Sequence, residues 1–251
     1  MASGMSSGLV VAVDSGIARV EMNDRAGRNA LGERMVDALT SCLRELGRDP
    51  SVRVLVLLGL PEVFCSGAPL ELLRRLARGE VAPTDVLLAR AALEVPVPVI
   101  AAMEGHATGG GLALGLCADL VLIARESRYG ASFLDLGFTP GMGITRLLEH
   151  VLSPALAHEL MLTGEFRRGR DFEGRSGINY VLPRAELRPR ALDLAARIAV
   201  KPRAALELLK RSLSVRRRQA FEDSHNVEAL MHAVTLRDPE VHRMIEEQYV
   251  E

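Results

Sequence analysis

Three observations predict an α/β fold. First, the apolar runs Val54–Gly59, Val97–Ala102 and Leu120–Ala124 read as buried strands. Second, the first two lead into glycine-containing turns, and segments with helical spacing follow. Third, the C-terminal part of the chain is helical throughout, so a strand-rich part precedes a helical one.

In chain order, residues 1–8 (MASGMSSG) carry no periodicity and are expected to be flexible. Leu9–Val13 and Ile17–Met22 alternate as strands and are joined at Asp14-Ser15-Gly16, a hairpin turn. Asn23–Asn29 is a polar loop carrying Arg25 and Arg28. Leu31, Met35, Ala38, Leu39 and Leu43 recur at helical spacing, which predicts an amphipathic helix over Ala30–Gly47, ended by Asp49-Pro50-Ser51. Leu70–Leu76 and Asp85–Leu93 read as short helices separated by a break over Gly79–Thr84. Val95-Pro96-Val97-Pro98 is extended, because proline disfavours helix at the residue before it. After Leu120–Ala124, Arg125-Glu126-Ser127 turns into an extended Tyr129–Ala131. Helices are predicted over Thr145–His150, Pro154–Thr163 and Ala185–Ala199, with a short extended segment at Gly177–Val181. Lys201-Pro202 opens a helix running to about Arg218, with proline in its first turn. Glu222–Thr235 and Pro239–Gln248 complete the tail.

The bulk numbers exclude several classes. The chain has 251 residues, 48% hydrophobic and 25% charged, ordinary for a globular protein. A formal charge of −1 gives no basic excess for nucleic acid. No apolar run approaches the roughly 18–20 residues that span a bilayer, and the first residues show no secretory pattern. Cys42, Cys65 and Cys117 have no metal-ligand spacing, and an odd count fits reduced thiols and a cytoplasmic location. Cys65 reads as a small buried hydrophobe.

The stretch Pro98–Asp119 (PVIAAMEGHATGGGLALGLCAD) organises the rest. A strand meeting a helix through Gly109, Gly110 and Gly111 exposes backbone N–H groups at a helix N-terminus, where an anion is favoured. A tight turn with close backbone packing is the plainer alternative. The same arrangement recurs earlier, where Phe64-Cys65-Ser66-Gly67-Ala68 follows Val54–Gly59.

Together FCSGA, GHATGGG and the run Gly137-Phe138-Thr139-Pro140-Gly141-Met142-Gly143 resemble the crotonase superfamily of enoyl-CoA hydratases and isomerases, from about Gly8 to about Glu247. The resemblance implies a spiral of ββα turns over residues 9–195 and a C-terminal helical region over 196–251 that completes the active site. It also implies a homotrimer or a dimer of trimers. In that family a thioester carbonyl becomes an enolate whose oxygen is received by two backbone amides. By resemblance these are the N–H groups of Ala68 and Gly110, flanked by Gly109 and Gly111. Such donors are worth about 3–4 kcal/mol each.

The hydratases carry two catalytic carboxylates, and the matching positions here are Ala113 and Phe133. Both are apolar and are expected to line the acyl site. No group is then in place to activate water, although Asp135, two residues further on, is a candidate base. A hole without carboxylates suits a substrate that generates its own enolate by losing CO2, after which only a proton donor is required. The runs Ala229-Leu230-Met231-His232 and Asp238-Pro239-Glu240-Val241, together with Arg78-Gly79-Glu80-Val81, are similar to the decarboxylating crotonases of polyketide β-branching cassettes. That similarity implies His232 as the donor, with His225 as the fallback; His106 is structural. Those enzymes carry a lysine for the substrate carboxylate where this chain has Leu76. Arg74, Arg75 and Arg78 are near it in sequence but point elsewhere on a helix.

The implied reaction is decarboxylation of a 3-methylglutaconyl thioester to 3-methylcrotonyl without metal or cofactor. The substrate is held on phosphopantetheine, as an acyl carrier protein or CoA thioester. Arg25, Arg28, Lys201, Arg203, Lys210 and Arg211 are candidates to meet phosphates or an acidic carrier; a solvated face is the alternative. The rival readings are an enoyl-thioester isomerase, which releases no CO2, and a non-catalytic acyl-thioester-binding homologue.

Overall fold

Apolar runs that do not alternate need cover on both faces, and the fold supplies it. The computed structural model describes residues 4–6, 8–81 and 85–249. Residues 1–3 and 7 of the expected flexible start, residues 82–84 of the expected break and residues 250–251 of the tail lie outside them. The elements are β1 (Gly4–Ser6), β2 (Leu9–Asp14), β3 (Ile17–Met22), α1 (Glu33–Arg48), β4 (Val54–Leu58), β5 (Val63–Cys65), α2 (Leu70–Ala77) and α3 (Asp85–Glu94). They continue with β6 (Val99–Met103), β7 (His106–Thr108), α4 (Gly110–Leu116), β8 (Leu120–Ala124), β9 (Arg128–Gly130), α5 (Ile144–Val151), α6 (Pro154–Thr163) and β10 (Arg167–Arg168). The chain ends with β11 (Tyr180–Leu182), α7 (Arg184–Ala199), α8 (Arg203–Leu213), α9 (Val215–Thr235) and α10 (Pro239–Gln248).

Among the described residues these strands form two sheets. One has the order β1-β2-β3-β4-β6-β8-β11, the other β10-β9-β7-β5. The β2–β3 hairpin is antiparallel, while β3, β4, β6, β8 and β11 run parallel, with Leu55 opposite Val99 and Ile100 opposite Leu120. Strand pairs β4–β5, β6–β7 and β8–β9 therefore contribute one strand to each sheet before a helix follows, which is the expected ββα spiral. β1 pairs antiparallel with Leu9–Val11, so a short strand stands where no regular structure was expected.

The two faces of the larger sheet pack differently. Leu55, Leu57, Ala101, Met103, Val121 and Ile123 face the main core with α1 and α4. Val54, Val56, Leu58, Ile100, Ala102, Leu122 and Ala124 meet Leu187, Ala191, Ala195 and Ala199, a stripe of period four along α7. A third cluster, including Leu73, Ala77, Phe138, Leu236, Val241 and Ile245, joins α2, the loop after β9 and α10.

Two boundaries differ from the sequence expectation. β5 and β7, three residues each, are strands where turns were expected, because so short a run shows no periodicity. The helix expected to reach Arg218 stops at Ser214, whose hydroxyl donates to the Lys210 carbonyl (2.8 Å). The chain then starts α9 at Val215.

Candidate active site

The C-terminal ends of β5 and β7 lie side by side, because the strands are parallel neighbours. Beyond β5 the chain turns at Gly67 (φ +82°), where a Cβ would lie 2.8 Å from the Thr108 carbonyl oxygen. Only glycine fits both the left-handed φ and that approach. The Gly67 carbonyl accepts the Leu31 N–H (2.7 Å), which fixes the turn against the start of α1. Beyond β7, Gly109 (φ +51°) donates its N–H to the Gly130 carbonyl (2.9 Å) and Gly110 opens α4. The N–H groups of Ala68 and Gly110 have no acceptor among the described residues.

Both turns border one cavity of about 90 Å³. One water needs about 10–15 Å³ on this measure, so the space suits a short acyl chain. α2 supplies Leu72, Leu73 and Leu76, and the loop after β9 supplies Ser132, Phe133, Leu136, Phe138 and Gly141. The C-terminal helices supply His232 and Leu236, and Tyr249 reaches in from beyond α10. No carboxylate lines the cavity among the described residues; its ionisable side chains are His232 and Tyr249. The Tyr249 hydroxyl donates to the Ala68 carbonyl (2.9 Å).

His232 is half-buried, edge-on to Phe138 at 6.0 Å between centroids. A Cβ at residue 141 would sit 2.8 Å from its Cε1, so Gly141 makes room for the ring. Its Nε2 lies 2.6 Å from the Thr139 carbonyl oxygen. A carbonyl only accepts, so in the neutral ring Nε2 carries the hydrogen and Nδ1 keeps its lone pair.

A sequence profile of the enoyl-CoA hydratase/isomerase family matches residues 12–251. The chain belongs to that family. It is 38% identical over 240 residues, 96% of each chain, to the bacillaene synthase decarboxylase PksI of Bacillus subtilis. Its fold matches a structure from a dehydratase/decarboxylase enzyme couple involved in polyketide β-branching, with a TM-score of 0.91 and 36% identity, covering 97% of this chain and 96% of the other. The ECH2 decarboxylase domain of CurF from Lyngbya majuscula matches with a TM-score of 0.90 and 34% identity, covering 97% and 100%.

Within this enoyl-CoA hydratase/isomerase fold, Ala68, Gly109, Gly110, Leu76, Phe133 and His232 come together on the cavity as the sequence suggested. Ala113 and Gly111 do not line it. Ala113 is fully buried in the main core, and a Cβ on Gly111 would meet the Cys65 carbonyl oxygen at 2.3 Å. Gly111 thus serves the packing of α4 on β5. Asp135, the candidate base, is exposed and lies against Gly164 at the end of α6, outside the cavity. His225, the fallback donor, stacks on Phe221 and meets Arg90. His106 sits on β7 with Nδ1 accepting the Arg128 N–H (2.8 Å); burial and the surrounding arginines lower its pKa and keep it neutral.

The cationic candidates separate. Arg74, Arg75 and Arg78 pair with Glu246, Glu33 and Glu80, so none replaces a cation at residue 76. Arg25 and Arg28 line a second cleft with Glu62, His106 and Arg184. Lys210 is buried; it pairs with Asp119 (2.8 Å) and donates to the Val97 carbonyl (2.9 Å), which removes it as a carrier contact. Burial lowers its pKa, against the attraction of Asp119. Arg203 binds the carbonyls of Gly47, Asp49 and Val52 at the C-terminal end of α1. Lys201, two residues before Arg203, does not line the cavity. Burial pushes the Cys65 thiol up to about 12, which leaves it protonated.

Ser132, Leu72 and Tyr249 line the cavity but no motif marks them, whereas Ser66 and Thr108 sit inside the two glycine motifs without a role read from them. Tyr249 is one of three tyrosines in the chain and the only one in the helical tail, a faint signal in hindsight.

Proposed function

We propose that the chain is a decarboxylase of a carboxylated enoyl thioester in polyketide β-branching, converting 3-methylglutaconyl to 3-methylcrotonyl on an acyl carrier protein. One observation carries this: Ala68 and Gly110, whose N–H groups have no partner, line a cavity that holds a histidine and, among the described residues, no carboxylate. The named activities of PksI and the CurF domain support it. The C4–C5 bond of the acyl group breaks, CO2 leaves, and its electron pair moves through the C2–C3 double bond onto the thioester oxygen. The amides of Ala68 and Gly110 receive that charge. The His232 imidazolium then gives its Nδ1 proton to C4, leaving the neutral Nε2–H ring held by Thr139, and regains a proton from solvent.

Leu72 and Leu76 set the other end of the reaction. A carboxylate placed against them is poorly solvated, and its charge is relieved as CO2 departs. Incubation with 3-methylglutaconyl-carrier followed by mass measurement tests the reading. Loss of CO2 supports it; unchanged mass with a shifted double bond means an isomerase, and no change means a binding protein. Leu76→Lys is expected to lower KM about tenfold by a charge-assisted hydrogen bond, or to shift the product double bond. Unchanged kinetics and product ratio would leave residue 76 without a role.

Arg25 and Arg28 are exposed, and neither has an ion-pair partner among the described residues. With Arg184 they give one cleft the charge to meet an acidic carrier or the phosphate of its arm. No metal or cofactor enters the scheme, and no group of three or more potential ligands is clustered among the described residues. None of their helices is long and apolar enough to cross a membrane; three free thiols fit the cytoplasm.

Self-association as a homotrimer or a dimer of trimers is supported by the outer faces of α8 and α9. Leu208, Leu213, Val227, Leu230 and Val234 are all more than half exposed there. Large apolar side chains exposed in this number on two helices are what a subunit interface would cover. Leu230→Glu is expected to convert the assembly to smaller species in light scattering; a monomeric wild type would refute the association.

A further inference from the structure

We propose that Glu228 is the positioning residue for His232, fastening α9 to the loop whose Thr139 carbonyl fixes the imidazole. The inference rests on the reading of His232 as proton donor. Glu228 is 2% exposed and has no cationic partner among the described residues. Its carboxylate accepts the N–H of Gly143 (2.6 Å), the N–H of Thr145 (2.9 Å) and the Thr145 hydroxyl (2.5 Å). A carboxylate so deeply buried persists only where its oxygens are satisfied, and the end of that loop (Gly143) together with the first turn of α5 (Thr145) supplies all three donors.

The neighbours on α9 repeat the pattern. Phe221, Ser224, Glu228 and His232, spaced by three, four and four residues, share one helix face. A Cβ on Gly143 would run into the Phe221 ring, and Ser224 Oγ lies 3.2 Å from the Gly143 carbonyl oxygen and 3.3 Å from the Arg146 N. His232 closes the series at Gly141 and Thr139. The buried residues of α9 are Phe221, Ser224 and Glu228; the ion pairs of Arg217 with Asp119 and Glu222 with Arg90 hold the N-terminal half of this 21-residue helix, which leaves Glu228 as the buried anchor next to His232. Glu228 lies one turn before His232. If its grip is lost, α9 slides, Nε2 leaves the Thr139 carbonyl and the ring no longer keeps Nδ1 free for the substrate.

Two variants test this. Glu228→Gln keeps the shape but sets an amide NH2 against a main-chain N–H; Thr145→Val removes one donor without touching α9. Ring nitrogen chemical shifts of His232 report its tautomer, and kcat and KM are measured with 3-methylglutaconyl-carrier. Glu228→Gln should lower kcat about 10- to 100-fold, as a misplacement near 1 Å does, with KM within about twofold and the Nε2–H tautomer replaced by a mixture. Thr145→Val should move both readouts part of the way. Wild-type kcat and tautomer in a folded Glu228→Gln overturn the proposal, and so does a loss of kcat with the tautomer unchanged. Should Glu228→Gln not fold, Thr145→Val decides by the same two readouts. The tautomer is read without turnover: full activity in His232→Ala would sink the donor reading, while the ring shifts would still report whether Glu228 places it.

Discussion

His232→Ala should lower kcat by about 10²- to 10⁴-fold, the usual worth of a placed general acid, and change KM little. The ring stands over Gly141 on the same cavity as the amides of Ala68 and Gly110, and no other histidine lines it. Removing it also strips the Thr139 carbonyl of its donor, a loss of about 1 kcal/mol in stability. His232→Gln separates the two effects. Its side-chain N–H can return to Thr139 and recover the stability, yet an amide cannot deliver a proton, so activity should stay low. Single-turnover measurement of CO2 and acyl product checks both variants. If His232→Ala turned over at the wild-type rate, the proton would have to come from elsewhere, and Tyr249 is the other ionisable group on the cavity.

What could be read from the residues follows from where the physical constraint is local. Gly67 and Gly109 have positive φ, a conformation that favours glycine, so the two turns leave a mark in the sequence. The strands β4, β6 and β8 are legible for a similar reason: burial on both faces demands unbroken apolar runs. Lys210 reads as a carrier contact because a lysine on a helix ordinarily faces water, and nothing nearby announces its buried pairing with Asp119, 91 positions earlier. Asp135 has the chemistry of a base, but its carboxylate lies against the left-handed Gly164 at the end of α6, outside the cavity, a placement that nothing in the local sequence marks. Ala113 illustrates a limit of resemblance. A position that holds an acid in relatives is, with a methyl group, absorbed into the core under α4. His232 needed the resemblance of the whole tail, since one histidine on a helix carries no periodic signal.

The second large effect tests the amides themselves, which no side-chain substitution reaches. Replacing the Gly67–Ala68 amide by an ester removes one N–H and leaves the alanine side chain in place. That N–H has no acceptor among the described residues, so its loss costs the folded chain nothing directly. The ester carbonyl at Gly67 is a weaker acceptor for the Leu31 N–H, which lowers stability by about 0.5–1.5 kcal/mol or less. On the reaction the effect should be far larger: kcat falls about 10²- to 10³-fold, as when one oxyanion donor is removed. The same replacement at Gly110 should act alike, since its N–H also lacks a partner. The contrast is the decisive feature, because a donor important for folding would unfold the protein when removed, whereas one reserved for the thioester oxygen affects turnover alone. Near-wild-type kcat in both esters would mean that the charge is not received there, and the decarboxylation route would lose its electron sink.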